Sequence, residues 1–211
     1  MSDSVTSIYP VFTPGANDDE FNDESFSGWT AVNSGSQVPT VTEINHVASI
    51  LHPGGGGAQN LWAYMKSYSP SANDYIEIAF KVGGNNQAYN RAGLIMADGV
   101  SFSSGTQAVF FLSFFEAYTI LTTYNGYNTD NAGFLGSSIF AITGGSVIFL
   151  RLKYEGSNHF RGYISPDGVS WMDATGQQTV TVTPTNIGFF LTPHSGSLPV
   201  IMSVHYFKQS A

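Results

Sequence analysis

From residue 74 onward the chain repeats one pattern: short runs with an apolar side chain at every second position, broken by clusters of Gly, Asn, Ser and Pro. A period of two belongs to a strand with one buried face. The runs fall at 74–82, 91–96, 107–115, 118–124, 147–154, 159–165, 179–182, 186–191 and 200–207, and LWAYMKSY at 61–68 reads the same way. Glycine-rich breaks fall at 52–57, 81–87, 99–105 and 142–146. No long window keeps a helical period, because Gly and β-branched residues interrupt each one. Many short strands with Gly-rich turns predict an all-β sandwich or barrel. No internal repeat points to a propeller or solenoid. Pro10, Pro14 and Gly15 break up the start, so residues 1–20 read as an irregular arm and 21–211 as one β domain.

One hairpin is specific enough to predict a register. In VIFLRLKY, Ile148, Leu150, Leu152 and Tyr154 share a face opposite Phe149, Arg151 and Lys153, and in HFRGYIS Phe160, Gly162 and Ile164 alternate with Arg161 and Tyr163. Matching the apolar faces sets Leu152 beside Gly162 and Leu150 beside Ile164, since a one-residue slip would bury Arg161. The same register gathers Arg151, Lys153 and Arg161 on the other face, where like charges need a carboxylate or an anionic ligand. Pro166, Asp167 and Gly168 suit a type I turn followed by a left-handed residue, and Trp171 follows as a core or rim aromatic bracing it.

Charge and composition narrow the partners. The 211 residues carry a formal charge of −8 with only 10 % charged side chains, well below the roughly 25 % of an average globular protein. Six of the fifteen acids (Asp3, Asp18, Asp19, Glu20, Asp23 and Glu24) lie in the first 24 residues, which hold no Lys or Arg, so the acidity concentrates at the start, where it reads as a solvated leader. Seven cations are too few for a phosphate-tracking surface, which disfavours nucleic acid. With no cysteine there is neither a disulfide nor a thiolate metal site. No apolar run reaches the length of a membrane-spanning helix. MSDSVTSIYPVFTPG lacks the basic and apolar regions of a secretion signal.

Several stretches carry a family resemblance. RLKYEGSNHFRGYISPDGVSWM resembles the hairpin of concanavalin A-like lectin/glucanase sandwiches of the laminin-G-like and glycosidase-accessory type, in which a strand leads into a y-S-x-D-G-x-x-W stretch. NRAGLIMADG (90–99) is similar to the buried central strand of that fold, TNIGFFL (185–191) to its late Gly-containing strand and VIMSVHYFKQ (200–209) to its closing strand. DDEFNDESFSGW (18–29) is similar to the opening, where the first strand pairs with the last. The resemblance spans about residues 18–209. It implies a jelly roll of two antiparallel sheets, one of them concave, with sugars bound on the concave face or its rim in the members that bind them. No sugar-contact motif is matched, so no binding residue carries over.

The residues themselves supply candidates. Aromatic platforms with polar neighbours suit sugars, and the candidate ligand-binding set is Trp62, Tyr64, Tyr89, Arg91, Glu116, Tyr118 and Tyr124, with Trp62 and Tyr64 on one side of a strand. Catalysis would need two facing carboxylates. Glu77 and Glu116 each stand alone in their strands, and alternation puts Glu77 on a solvated face, so the expectation is a non-enzyme. The five histidines lack metal-ligand spacing. No cofactor is expected, apart from calcium at the oxygen-rich segments 72–75 and 125–131. Together these features fit a phage virion-surface protein, a capsid decoration or tail-associated module. Its arm would dock on capsid or tail proteins and its sandwich would bind glycans; nothing in the residues encodes a homo-oligomer symmetry. The alternatives are an extracellular carbohydrate-binding accessory domain of a bacterial polysaccharide-degrading system and, behind it, a glycoside hydrolase.

Overall fold

The structure is a computed structural model and describes residues 18–21, 23, 25–33, 37–54, 61–84, 91–100, 107–114, 119–125, 136–138, 146–193 and 199–210. All its regular elements are strands: β1 (Thr30–Asn33), β2 (Thr40–Glu43), β3 (Ala48–His52), β4 (Trp62–Ser67), β5 (Tyr75–Gly84), β6 (Arg91–Ala97), β7 (Gln107–Phe114), β8 (Thr119–Asn125), β9 (Gly136–Ser138), β10 (Val147–Gly156), β11 (His159–Ser165), β12 (Met172–Asp173), β13 (Gln178–Thr179), β14 (Asn186–Thr192) and β15 (Val200–Gln209). They form two antiparallel sheets. A seven-stranded sheet runs β1-β4-β14-β6-β7-β8-β9, and an eight-stranded sheet runs β12-β11-β10-β5-β15-β3-β2 with β13 beside β11.

Alternation fixes which side of each strand is dry. Ile76, Ile78, Phe80, Ile148, Leu150, Leu152, Phe160, Met202, Val204 and Phe207 from one sheet meet Trp62, Leu94, Met96, Ile187, Phe189 and Leu191 from the other in one buried core. The hairpin adopts the register its apolar face demands, with Leu150 opposite Ile164, Arg151 opposite Tyr163, Leu152 opposite Gly162 and Lys153 opposite Arg161. β10 and β15 extend past the runs read from the sequence through local irregularities. β10 reaches Gly156 through an irregularity after Tyr154, and β15 reaches Gln209 through one between Val204 and Tyr206. Without that second shift, Phe207 would fall on the outer side; with it, Phe207 joins the core. The run at 179–182 forms a strand only at its first residue, within β13, although Val180 and Val182 are both buried.

Gly188 marks the tightest approach in the seven-stranded sheet. A Cβ there would stand 1.9 Å from the Tyr64 carbonyl oxygen on β4, so only a residue without a side chain fits.

Residues 18 and 19, within the arm expected over 1–20, bond to the last strand. Asp19 exchanges both backbone hydrogen bonds with Phe207 at 2.8 Å, in line with the first-to-last pairing that the resemblance implies. Its side chain then accepts from the Phe21 backbone N–H at 2.8 Å and the Trp29 indole N–H at 2.6 Å. The carboxylate of Asp18 accepts from the Gln209 N–H at 2.8 Å. These two acids are therefore anchored to the last strand. Phe21, Phe26 and Trp29 follow them inward: Trp29 meets Phe189 and Phe207 edge-on, each at 5.0 Å between ring centroids, and Phe26 stacks on Tyr64 at 4.8 Å.

His52 ends β3 on the inner side and is fully buried. Its Nδ1 accepts the Gly54 backbone N–H at 3.1 Å, which leaves the proton on Nε2, an atom with no partner among the described residues. Burial without a counter-charge lowers its pKa to about 4 from 6.5. Protonation then favours the unfolded chain. Stability is complete above pH 6.5 and falls as the pH drops towards 4, by about 3 kcal/mol over that window. His205 titrates in the same sense, because burial and the Lys81 charge lower it. The test is therefore differential: urea midpoints measured from pH 8 to 4 should fall less steeply in His52→Leu than in the parent chain. Parallel curves would mean that His52 does not carry the acid sensitivity.

Candidate functional site

Outward from the core, the eight-stranded sheet carries an unusual set of side chains. The registers of β11, β10, β5 and β15 align them in rows: Arg161, Lys153 and Tyr75; then Tyr163, Arg151, Glu77 and Lys208; then Ser165, Phe149, Ala79 and Tyr206; then Val147, Lys81 and Ser203. Ala79, Phe149 and Tyr206 form a small buried cluster on this outer side, with Trp171 packed over them.

Arg151 is the centre. Its Nε and Nη2 both donate to Glu77 Oε2, at 3.1 and 2.7 Å, while Glu77 Oε1 accepts the Tyr206 hydroxyl at 2.6 Å. The guanidinium lies 4.3 Å from the Tyr75 ring centroid and 4.0 Å from that of Trp171. Two rings and one carboxylate thus fix a cation whose side chain is still 22 % exposed. Burial, with the charge and hydrogen bond of Glu77 behind it, pushes the Tyr206 hydroxyl far above its ordinary pKa and keeps it a donor. Glu77 is not on a solvated face. It is only 4 % exposed, because the turn after β11 folds Trp171 back across the sheet.

That turn is built as its residues dictate. The Asp167 carboxylate accepts from the Val169 and Ser170 backbone N–H groups at 2.8 and 2.7 Å and from the Ser165 hydroxyl at 2.9 Å, and these donors hold its pKa well below the usual range. Gly168 takes the left-handed conformation at φ 74°. Trp171 arrives just before β12 as a rim aromatic, packed on the outer cluster and outside the sandwich core.

Carboxylates also answer the crowding of cations across the hairpin. Arg161 donates to Glu155 at 2.8 Å and to Asp173, while Lys153 stands 4.0 Å from Glu155. Burial opposes ionisation of Glu155, but hydrogen bonds from Gln177 and Arg161 prevail and hold its pKa below the ordinary value.

Among the candidate ligand-binding residues whose side chains are described, Trp62 and Tyr64 lie on the opposite side of the seven-stranded sheet from Arg91. Trp62 and Tyr64 do share a side of β4, but it is the inner side: Trp62 is 2 % exposed and Tyr64 packs against the core beneath Phe26, so neither ring forms an open platform. Arg91 is half-buried and pairs with Thr192 at the end of β14, on the outer side of the seven-stranded sheet. The backbone of Tyr124 lies opposite Ala108. Tyr89, Glu116 and Tyr118 lie outside the described residues. Glu77 sits on β5 in the eight-stranded sheet.

At residues 72–75 Asp74 Oδ2 accepts the Tyr68 hydroxyl at 2.6 Å and the Ser71 N–H at 2.8 Å. Residues 126–131 of the second calcium segment lie outside the described residues, among which no cluster of three His, Asp or Glu side chains could hold a metal. The sequence pointed to the hairpin cations but not to Tyr75, Tyr206 or the burial of Glu77. The signal that could have found them is the acid placed in register with Arg151 on the adjoining strand.

No protein-family model and no curated protein matches the sequence. Solved structures do match, and they define the fold. A β-glucanase of Bacillus licheniformis is similar over 95 % of this chain and 100 % of its own, with a TM-score of 0.60 at 12 % identity. A lectin of Bauhinia forficata, solved with GalNAc, is similar over 92 % and 97 %, with a TM-score of 0.57 at 11 % identity. The exoplasmic/lumenal domain of VIP36, bound to Ca2+ and Man3GlcNAc, is similar over 91 % and 86 %, with a TM-score of 0.59 at 12 % identity. The protein is a concanavalin A-like sandwich of two antiparallel sheets.

Proposed function

We propose that this protein is a non-enzymatic glycan-binding module of a virion surface, either a capsid decoration or a tail-associated protein. The observation that carries the binding half is the Tyr75–Arg151–Trp171 stack with Glu77, Tyr163 and Tyr206 around it, on a fold shared with a GalNAc-bound lectin and a mannose-glycan-bound domain. Aromatic faces beside fixed charged hydrogen-bonding groups are what sugar rings and hydroxyls require. The non-enzymatic half rests on Glu77, whose two oxygens are committed to Arg151 and Tyr206. A glycosidase of this size also exists on the same fold, so the distinction comes from the acid's partners and not from the architecture. The virion setting is supported by a composition with only 10 % charged residues, in which Ser, Thr, Asn, Gln and Gly supply much of the polarity.

A glycan array probed with the full chain tests the first half. Selective binding is expected, and Tyr163→Ala should weaken it about tenfold without lowering the melting temperature. An array without a single hit refutes the reading. Mass spectrometry of purified particles tests the setting: the chain should be present, and its absence from virions would remove that part of the proposal.

A further inference from the structure

Five of the seven Lys and Arg residues of this acidic chain point outward from one sheet: Lys81, Arg151, Lys153, Arg161 and Lys208. Among the described residues, Glu77, Glu155 and Asp173 pair with Arg151, Lys153 and Arg161. A chain with a formal charge of −8 thus distributes its cations unevenly, with five of the seven on one sheet face.

Arg151 adds geometry to that imbalance. A guanidinium has five N–H donors, and Glu77 takes one from Nε and one from Nη2, leaving three on a cation that two rings already hold in place. An arginine fixed in this way loses little freedom when it grips an anion, and its remaining fork suits a planar or tetrahedral oxyanion. Lys153 follows at the next outward position of β10, about 7 Å along the strand. Lys81 is exposed, with no ion pair among the described residues.

We infer that this face takes an acidic polysaccharide, with the carboxylate or sulfate of one sugar on Arg151 and neighbouring acidic sugars reaching Lys153 and Lys81. The inference rests on the glycan-binding reading above and specifies its ligand. The interleaved acids favour a sugar polymer over nucleic acid. Glu155 and Asp173 can accept hydrogen bonds from the free hydroxyls that an acidic sugar keeps, donors that a DNA backbone does not offer.

Affinity electrophoresis of the full chain tests this, in gels containing polygalacturonic acid, dextran sulfate, a neutral β-glucan or a single-stranded oligodeoxynucleotide. Retardation is expected in one or both acidic polysaccharide gels, weaker as salt is raised, and at least tenfold weaker for the doubly reversed variant Lys81→Glu/Lys153→Glu. Polygalacturonic acid alone would assign a carboxylate, dextran sulfate alone a sulfate. Equal retardation by the neutral glucan, unchanged in the variant, would keep the glycan reading and overturn this one. Equal retardation by the oligonucleotide, lost in the same variant, would reduce the face to a general polyanion surface and also overturn it. No retardation in any gel overturns it outright, and the glycan array then decides separately whether the parent reading survives.

Discussion

Gly188→Ala is expected to cost more than 3 kcal/mol and to leave little folded protein at 37 °C. A methyl group at that position would lie 1.9 Å from the Tyr64 carbonyl oxygen, 3.0 Å from its carbon and 3.1 Å from the Met65 Cα. All three are backbone atoms of a strand paired in register from Ser67 to Trp62, so none can swing aside as a side chain would. Relief requires β4 and β14 to separate, which breaks the ladder and disturbs Trp62, Tyr64 and Phe189 beneath it. Urea denaturation checks the expectation. As a control, Gly83→Ala in β5 has nothing within 4 Å of the added methyl and should change the midpoint little. A native midpoint in Gly188→Ala would mean that the two strands stand further apart than described.

The second large effect belongs to Glu77. Truncation to Ala removes the acceptor of three hydrogen bonds, two from Arg151 and one from Tyr206. It strands a guanidinium and a phenol beneath Trp171, at an expected cost of about 3 kcal/mol. Replacing both members of the ion pair, as Glu77→Leu/Arg151→Met, should restore most of that loss. A buried pair is costly to break, yet it is not itself a large source of stability. A double-mutant cycle by thermal denaturation measures the coupling; additive losses would show that the two groups act independently. The double variant also separates stability from recognition, since it should fold and yet lose retardation by acidic polysaccharide.

The fold was readable wherever one face had to be dry. The hairpin register followed from four apolar residues in VIFLRLKY and the need to keep Arg161 out of the core, and the structure reproduces it pair for pair. Short strands such as β1 and β12 were not readable, because four or two residues carry too little periodicity to stand out. The site was harder. Alternation correctly put Glu77 opposite Ile76 and Ile78, but it says only which side of a sheet a residue takes, not whether a distant turn will cover that side. Trp171, ninety-four positions away in sequence, decides that. The same limit misplaced Trp62 and Tyr64: sharing a side was right, but which side could not be told without the partner sheet. Asp18 and Asp19 looked like solvent-facing charge because their partners, Gln209 and Phe207, lie at the other end of the chain.

That separation shapes how the molecule must be made. β15 lies between β5 and β3 in the middle of the eight-stranded sheet and also receives Asp19 along its far half, so translation has to pass residue 209 before the sheet is whole. Until then the edges of β5 and β3 that β15 will join have no neighbour. Folding on the ribosome should therefore stall at a pre-assembled but unsealed stage, when capture by chaperones or by another nascent chain competes most strongly with insertion of the last strand.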